Sequence, residues 1–364
     1  MMENKTIFIA HNWQDNTLNR QSKEMALYFS QKNKVIFLHA GRKSIPAQQV
    51  NKNLSVVIWP GKRPTGFKDL LFAIKLMWRN RPDIVISNFA ANNIMLFVSW
   101  LFGAEKRVCY YHTLISQYLA DFGKLGPGQR FNIVRKNFFF RKATHILASS
   151  LSAKKDILTY YRVKEENIYI FPNALPDKHI TNKGSLNKIG FIGRLHRSKG
   201  VDILIDAFYK LSLEMPGLQL SIAGSGEEKE RLEAQTEALS LSGKVTFEGN
   251  VPNDEICNFI AELVFLVVPS RIDNLPTVVL EAFSTGTPVI GSNAGGIPDM
   301  VEDKKTGLLF ENEDVDSLYR AMKRLITERE LWNKLSQEAK AKFDDRYSLE
   351  KLPERYERLL AENK

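Results

Sequence analysis

Two cysteines among 364 residues exclude a disulfide framework and a thiolate-rich metal cage. Cys109 lies in the strand-like run Lys106–His112 and Cys257 in the helical run Asn253–Ala261, so a reducing, cytoplasmic setting is expected. Long apolar runs are also missing. The longest candidate, the nine residues Ile94–Phe102, follows Asn88, Asn92 and Asn93, falls far short of the ~20 residues that span a bilayer, and reads as a core helix. The start, Met1-Met-Glu-Asn-Lys-Thr, carries no apolar signal-peptide segment. The full Gly-x-Gly-x-x-Gly fingerprint is lacking, which argues against a dinucleotide cofactor. No internal repeat, low-complexity tract or heptad pattern is present. No metal and no organic cofactor are expected.

What the chain does have is an uneven charge. Residues 1–180 hold 27 Lys+Arg against 11 Asp+Glu, whereas residues 181–364 hold 24 against 30. A basic first half points to an anionic surface or ligand. Short, continuous apolar runs alternate with helical patterns in both halves: Thr6–Ala10, Val35–Ala40, Leu54–Trp59, Asp83–Ser87, Arg107–Tyr111, Thr144–Ser149 and Asn167–Phe171, then Lys188–Ile192, Gln219–Ala223, Lys244–Phe247, Leu263–Pro269, Pro288–Gly291 and Gly307–Phe310. Runs of this kind mark parallel strands covered on both faces. The expected fold is α/β, with a doubly wound parallel sheet in each half. The Pro- and Gly-containing stretch Pro172–Asn187 reads as a linker. The domains are placed at 1–180 and 181–347, with a helical tail at 348–364 packing on the first.

Three strand-to-helix junctions in the second half carry chemistry. In Gly193-Arg-Leu-His-Arg-Ser-Lys199-Gly, Gly193 allows close backbone approach, Arg194 offers a planar fork for phosphate oxygens, and Lys199 offers a point charge. Ala223-Gly-Ser-Gly226 places Gly224 at the same sheet edge. In Asp273-Asn-Leu-Pro-Thr-Val-Val-Leu-Glu281, Pro276 suits a first helical turn, the amides of Asn274 and Leu275 face outward, and Glu281 lies further along the helix. Two cations for phosphates and two carboxylates for hydroxyls suit a ligand with a diphosphate and sugar rings.

Taken together, Gly-Arg-Leu-x4-Lys-Gly, Ala-Gly-x-Gly, Asp-Asn-Leu-Pro-x4-Glu-Ala and Thr-Gly-Thr-Pro-Val-Ile resemble glycosyltransferase family 4, the retaining enzymes of the GT-B fold. The resemblance covers the second half by motif and the first by layout. It implies two Rossmann-like domains facing a cleft and hexosyl or N-acetylhexosaminyl transfer from a nucleotide diphosphate sugar, UDP-linked before GDP-linked. The acceptor is a glycan or lipid-linked hydroxyl in cell-surface polysaccharide synthesis. By the same resemblance Arg194 and Lys199 neutralise the diphosphate and Glu281 binds the ribose. Asp273 with Asn274 and Leu275 holds the transferred sugar, Asn250-Val251 lies along the base, and Gly295-Gly296 forms the small-residue turn after the Glu helix. The family usually has Glu and Gly-Phe-Gly where this chain has Asp273-Asn-Leu, which implies altered sugar selectivity.

In the first half, His112 closes a strand where the family places a His against the donor sugar, and His11 closes another. The nearest match to the family's early Gly-Gly turn is Asn16-Thr17, with Arg20 as a substitute donor. The run Arg130–Lys142 mixes Arg130, Arg135, Lys136, Arg141 and Lys142 with phenylalanines. It reads either as peripheral contact with the inner face of an anionic plasma membrane or as a helix with a buried Phe face and a solvated basic one. Rival readings are a nucleotide-sugar epimerase of the same fold, a non-catalytic partner of that fold, or a basic nucleic-acid-binding protein. The last lacks any recognition motif, and no nucleic-acid partner is expected.

Overall fold

Most strands in this chain are short because they are predominantly apolar runs bounded by polar or glycine-containing turns. The computed structural model describes residues 3–13, 17–39, 47–61, 63–112, 114–182, 184 and 187–361. In chain order the first elements are β1 (Thr6–Ala10), α1 (Thr17–Phe29), β2 (Lys34–His39), β3 (Gln48–Asn51), β4 (Leu54–Ile58), α2 (Phe67–Asn80) and β5 (Ile84–Ser87). There follow α3 (Asn92–Leu101), β6 (Lys106–Tyr111), α4 (Ile115–Phe122), α5 (Pro127–Phe140), β7 (His145–Ala148), α6 (Leu151–Tyr160) and β8 (Ile168–Ile170). The second set is β9 (Lys188–Ile192), α7 (Val201–Glu214), β10 (Gln219–Ala223), α8 (Lys229–Ala238), β11 (Val245–Gly249), α9 (Ile256–Ala261), β12 (Leu266–Val268) and α10 (Thr277–Thr285). It continues with β13 (Val289–Ser292), α11 (Ile297–Met300), β14 (Gly307–Phe310), α12 (Val315–Thr327) and α13 (Arg329–Lys342), and the chain closes with α14 (Leu352–Ala361).

These elements make two compact units, Met1–Ala174 with Leu349–Lys364, and Leu175–Ser348. The first unit is an eight-stranded sheet in the order β3-β4-β2-β1-β5-β6-β7-β8, parallel except for β3. The second is a six-stranded parallel sheet in the order β11-β10-β9-β12-β13-β14. In each sheet the order reverses at one place, between β1 and β5 in the first and between β9 and β12 in the second. Ligands of open α/β sheets bind at the carboxyl ends of the strands flanking such a reversal.

Local chemistry explains the element ends. Asp69, buried in the first turn of α2, accepts hydrogen bonds from the amides of Gly61 (2.9 Å) and Gly66 (3.0 Å). Ser150 caps α6 by accepting from Ala153 N at 3.0 Å, and Pro127 opens α5. The tail helix α14 buries Leu352, Tyr356, Leu359 and Leu360 in the core that α1 also lines, and Tyr356 meets the Tyr110 hydroxyl there.

Three features depart from the sequence reading. β3 is a polar, wholly exposed edge strand paired antiparallel to β4, so it has no apolar signal. α4, α11 and α13 are helices beyond those read from the sequence; α13 buries Trp332, Leu335 and Ala339 at helical spacing. Pro276 stands just before α10, at its N-cap with ψ 112°, and the first turn begins at Thr277.

Candidate active site

In the second unit, three loops leave the carboxyl ends of β9, β10 and β12 and pack backbone to backbone. Leu195 N donates to Ser225 O (2.9 Å), Gly193 N to Ala223 O (3.0 Å) and Arg271 N to Ser198 O (2.8 Å). A side chain at Gly224 (φ +136°) would put its Cβ 1.8 Å from Gly193 O, and one at Gly295 (φ +59°) would put it 2.1 Å from Asp273 O. Glycine is therefore required at both positions for the loops to touch. Gly296 N also donates to Asp273 O at 2.7 Å, which fixes the Asp273 loop against the turn after β13.

Two adjoining pockets open over these loops. One, of about 450 Å³, is lined by Gly193, Arg194, Gly224, Asn250, Val251 and Val278, among others. The other, of about 290 Å³, is lined by Arg194, Lys199, Asp273, Leu275, Pro276 and Val278, among others. They share Ile192, Gly193, Arg194 and Val278. Arg194 is exposed on the wall of both and has no ion-pair partner among the described residues. Sequence reasoning treated Lys199 and Asp273 as separate ligand contacts, but the structure joins them: Lys199 Nζ is hydrogen-bonded to Asp273 Oδ2.

Behind that pair lies a second cation that the sequence reading passed over. The Arg271 guanidinium binds Asp202 through two hydrogen bonds (3.0 and 2.9 Å), donates to Arg197 O at 2.7 Å and pairs with Glu313. It ties the Lys199 turn to the Asp273 loop. Being arginine, it stays charged throughout the working pH range.

Glu281 sits in the second turn of α10, three residues beyond Val278 and so on the same helical face. Its Oε2 is buried with no hydrogen-bond partner among the described residues. Burial pushes its pKa up to about 7, against a smaller opposing pull from Lys178. Lys178 Nζ itself holds the carbonyls of Asn253 (3.0 Å) and Asp254 (2.8 Å), in the loop that follows Asn250-Val251. Glu281 is in the lining of neither pocket and is tied to them through Val278, which lines both; a buried carboxylate with an open acceptor there is suited to receiving ligand hydroxyls.

The chain's Asp-x-Asp, Asp314-Val-Asp316, plays no part in these pockets. Asp314 caps α12 through Ser317 N (2.9 Å), and Asp316 pairs with Lys210. No group of three or more His, Cys, Asp or Glu residues arranged to hold a metal occurs among the described residues.

In the first unit, the carboxyl ends of β1, β5 and β6, at and next to the order reversal, carry a column of rings. His112 lies parallel to Tyr110 (5.4 Å between centroids) and is stacked with Phe89 (4.4 Å), which is stacked with His11 (5.5 Å). Phe89 holds φ +49°, a left-handed conformation that costs a non-glycine residue about 1–3 kcal/mol, and it had no sequence signal. His112 Nε2 lies 2.9 Å from Asn88 Oδ1, and His11 Nδ1 lies 2.8 Å from Ser22 Oγ. With Asn88 Oδ1 as acceptor, the His112 proton is on Nε2 and Nδ1 carries the lone pair. Burial lowers the His112 pKa to about 4; burial and the neighbouring His112 lower that of His11 to about 3. Both rings are neutral near pH 7. Arg20 is exposed on α1, 3.9 Å from Glu24. Asn16 and the Thr17 side chain lie outside the described residues.

A further cavity, about 760 Å³, lies at the opposite end of the first sheet, at the amino ends of β6–β8. Of the sequence-predicted residues it includes only Arg141. Arg130 and Arg135 on α5 and Arg141 just after it are exposed, whereas Lys142 is half-buried. Lys136 is not exposed either: it faces away from the others, is half-buried, and has its pKa lowered by burial and by Arg135.

The profile described as Glycosyl transferases group 1 matches residues 176–342, and that described as Glycosyltransferase Family 4 matches residues 18–178. With both units accounted for, the chain belongs to the family 4 type of glycosyltransferases, with the GT-B fold. An uncharacterized glycosyltransferase of Haemophilus influenzae is 30% identical over 215 residues, covering 58% of this chain and 60% of that protein. The D-inositol 3-phosphate glycosyltransferase of Corynebacterium jeikeium is 33% identical over 181 residues (47% and 43%). The lipopolysaccharide core biosynthesis glycosyltransferase LpsE of Rhizobium meliloti is 29% identical over 170 residues (47% and 48%). The chain thus spans about half the length of these curated relatives. Among solved structures, HepE of Anabaena in complex with UDP superposes with a TM-score of 0.77 at 16% identity, over 98% of this chain and 99% of that one. Sucrose-phosphate synthase from Thermosynechococcus elongatus gives 0.73, also at 16% identity, over 98% of each. At such identities the likeness is one of fold.

Proposed function

We propose that the chain transfers a hexosyl or N-acetylhexosaminyl unit from a nucleotide diphosphate sugar, UDP-linked by preference, to a hydroxyl of a glycan or lipid-linked acceptor. The reading is of transfer with retention, without a metal, at the cytoplasmic face of the membrane in cell-surface polysaccharide synthesis. The observation that carries it is the Glu281 carboxylate, whose buried oxygen has no partner, set beside pockets walled by the exposed Arg194. Ribose hydroxyls supply the missing donors, and the diphosphate supplies the counter-charge that Arg194 lacks. Lys199 exchanges its bond to Asp273 for one to the leaving diphosphate, freeing Asp273 to accept from hydroxyls of the transferred sugar. The departing phosphate oxygen takes the acceptor's proton, so no protein nucleophile is needed. Stabilising charge on that leaving group is the main demand on the protein. Neutral His112, with a lone pair on Nδ1, is suited to accept from a hydroxyl rather than to bind a phosphate.

The HepE structure was solved with UDP, and the curated relatives include a lipopolysaccharide core enzyme; both favour the uridine and cell-surface readings. The test is a thermal-stability screen against UDP- and GDP-sugars, followed by product detection with and without a polyprenyl-linked acceptor. Stabilisation by one nucleotide sugar and acceptor-dependent product are expected. Product formed without acceptor, or no stabilisation by any nucleotide sugar, overturns the reading.

A further inference from the structure

Exposed apolar side chains are distributed as unequally as charge. Of fourteen large hydrophobic residues exposed among the described positions, thirteen lie in the first unit and only Leu213 in the second. Most cluster on the helices covering one face of the first sheet. α5 shows Phe131, Val134 and Phe138 at i, i+3 and i+7, which makes one stripe. The neighbouring α3 adds Trp100 and Leu101, and α2, packed on α3, adds Trp78. These six are between 47% and 70% exposed. The stripe is continuous at the α3/α5 seam, where Lys142 Nζ lies 3.7 Å from the Trp100 ring centroid and 4.5 Å from that of Phe138. The alternative of a buried Phe face on α5 holds for Phe140 and in part for Phe139, which is half-buried against the core.

Charge on these helices has one sign. At 100° per residue, Arg130 and Arg141 flank the α5 stripe on one side and Arg135 on the other, while α2 exposes Lys68, Lys75 and Arg79. The only carboxylate on α2, α3 and α5 is Asp69, which is buried against backbone amides. A protein partner matching a broad aromatic face would not require such a wholly cationic rim. An anionic bilayer supplies both an apolar interior for the rings and phosphates for the rim. No helix among the described residues is long and apolar enough to cross a membrane, so the contact is with its surface.

We infer that the outer face of α2, α3 and α5 docks on an anionic phospholipid surface, with Phe131, Val134, Phe138 and Trp100 inserted at the headgroup level and Arg130, Arg135 and Arg141 on phosphates. This rests on the proposed use of a lipid-linked acceptor and gives that reading a place on the molecule. The test is flotation of the full chain with vesicles of one part phosphatidylglycerol to two parts phosphatidylcholine, against phosphatidylcholine alone. Binding only to the anionic vesicles is expected, with loss at about 0.5 M salt. F131S/F138S should weaken binding more than tenfold even at low salt. R130Q/R135Q should weaken it about fivefold per cation removed. Stabilisation by UDP is measured on the same proteins: vesicle binding without it leaves the surface assigned and sinks the nucleotide-sugar reading. Absence of binding at low salt, or binding unchanged in F131S/F138S, overturns the membrane assignment, as does a dimer that F131S/F138S dissolves while vesicles go unbound.

Discussion

Glu281→Gln tests the donor site through stability and binding at once. The unfolded carboxyl titrates near 4.5 and the folded one near 7, so between those values the folded state holds a proton that the unfolded state has released. Stability from this group is greatest below about pH 4.5, falls as pH rises, and reaches its lowest level above pH 7. The shift corresponds to about 3 kcal/mol. Glutamine keeps the shape and carries no charge. The ligand-free variant should therefore exceed the parent by up to about 3 kcal/mol at pH 8.5, or several degrees in melting temperature at about 2–4 °C per kcal/mol, and by almost nothing at pH 4.5. Donor binding should move the opposite way. Exchanging a charged acceptor for a neutral one weakens hydrogen bonds worth about 1.5–3 kcal/mol, so affinity for UDP should fall at least tenfold at pH 8. Melts at three pH values with and without UDP suffice. A pH-independent stability difference refutes the buried-carboxylate argument; unchanged UDP affinity refutes the hydroxyl role.

Lys199→Ala should lower the maximal rate about 10²–10³-fold at saturating donor, the range for losing one group that stabilises developing charge; an unaltered maximal rate removes Lys199 from the chemistry. Arg271→Met, which leaves Asp202 without its bidentate partner, should cost about 2 kcal/mol in denaturant titrations and lower activity through loop displacement. Equal stability would mean that the network does not hold the loops. His11 and His112, with pKa values lowered from 6.5 to about 3 and about 4, contribute stability that is present above pH 6.5 and lost as pH falls toward those values. Between pH 7 and 5 each should remove about 2 kcal/mol from the first unit, and H112Q should flatten that slope. An acid melt unaffected by H112Q contradicts it.

The thirteen strands read from the sequence are present because parallel strands buried on both faces must be apolar throughout, a pattern that survives in one dimension. β3 escaped because a polar edge strand is set by pairing with β4. The burial of Glu281 was legible from the apolar residues around it. The Lys199–Asp273 bond was not, because it spans 74 positions and depends on β9 lying beside β12. The placement of the α5 face was equally out of reach: a helix with rings all round gives no periodic clue to which rings the core will take. Phe89 defeats sequence reasoning for another reason, since a bulky residue at positive φ is held there by its surroundings.

The Lys199–Asp273 pair makes the pocket electrically quieter than its sequence suggests. A small anion such as inorganic phosphate can offer Lys199 a partner but gives Asp273 nothing in return, whereas a nucleotide sugar brings both an anion for the lysine and hydroxyls for the aspartate. On the proposed donor site, the bond would act as a filter against the abundant phosphates of a cell. In D273N, where that filter is removed, inorganic phosphate should become a markedly stronger competitor of UDP-sugar binding than it is for the parent.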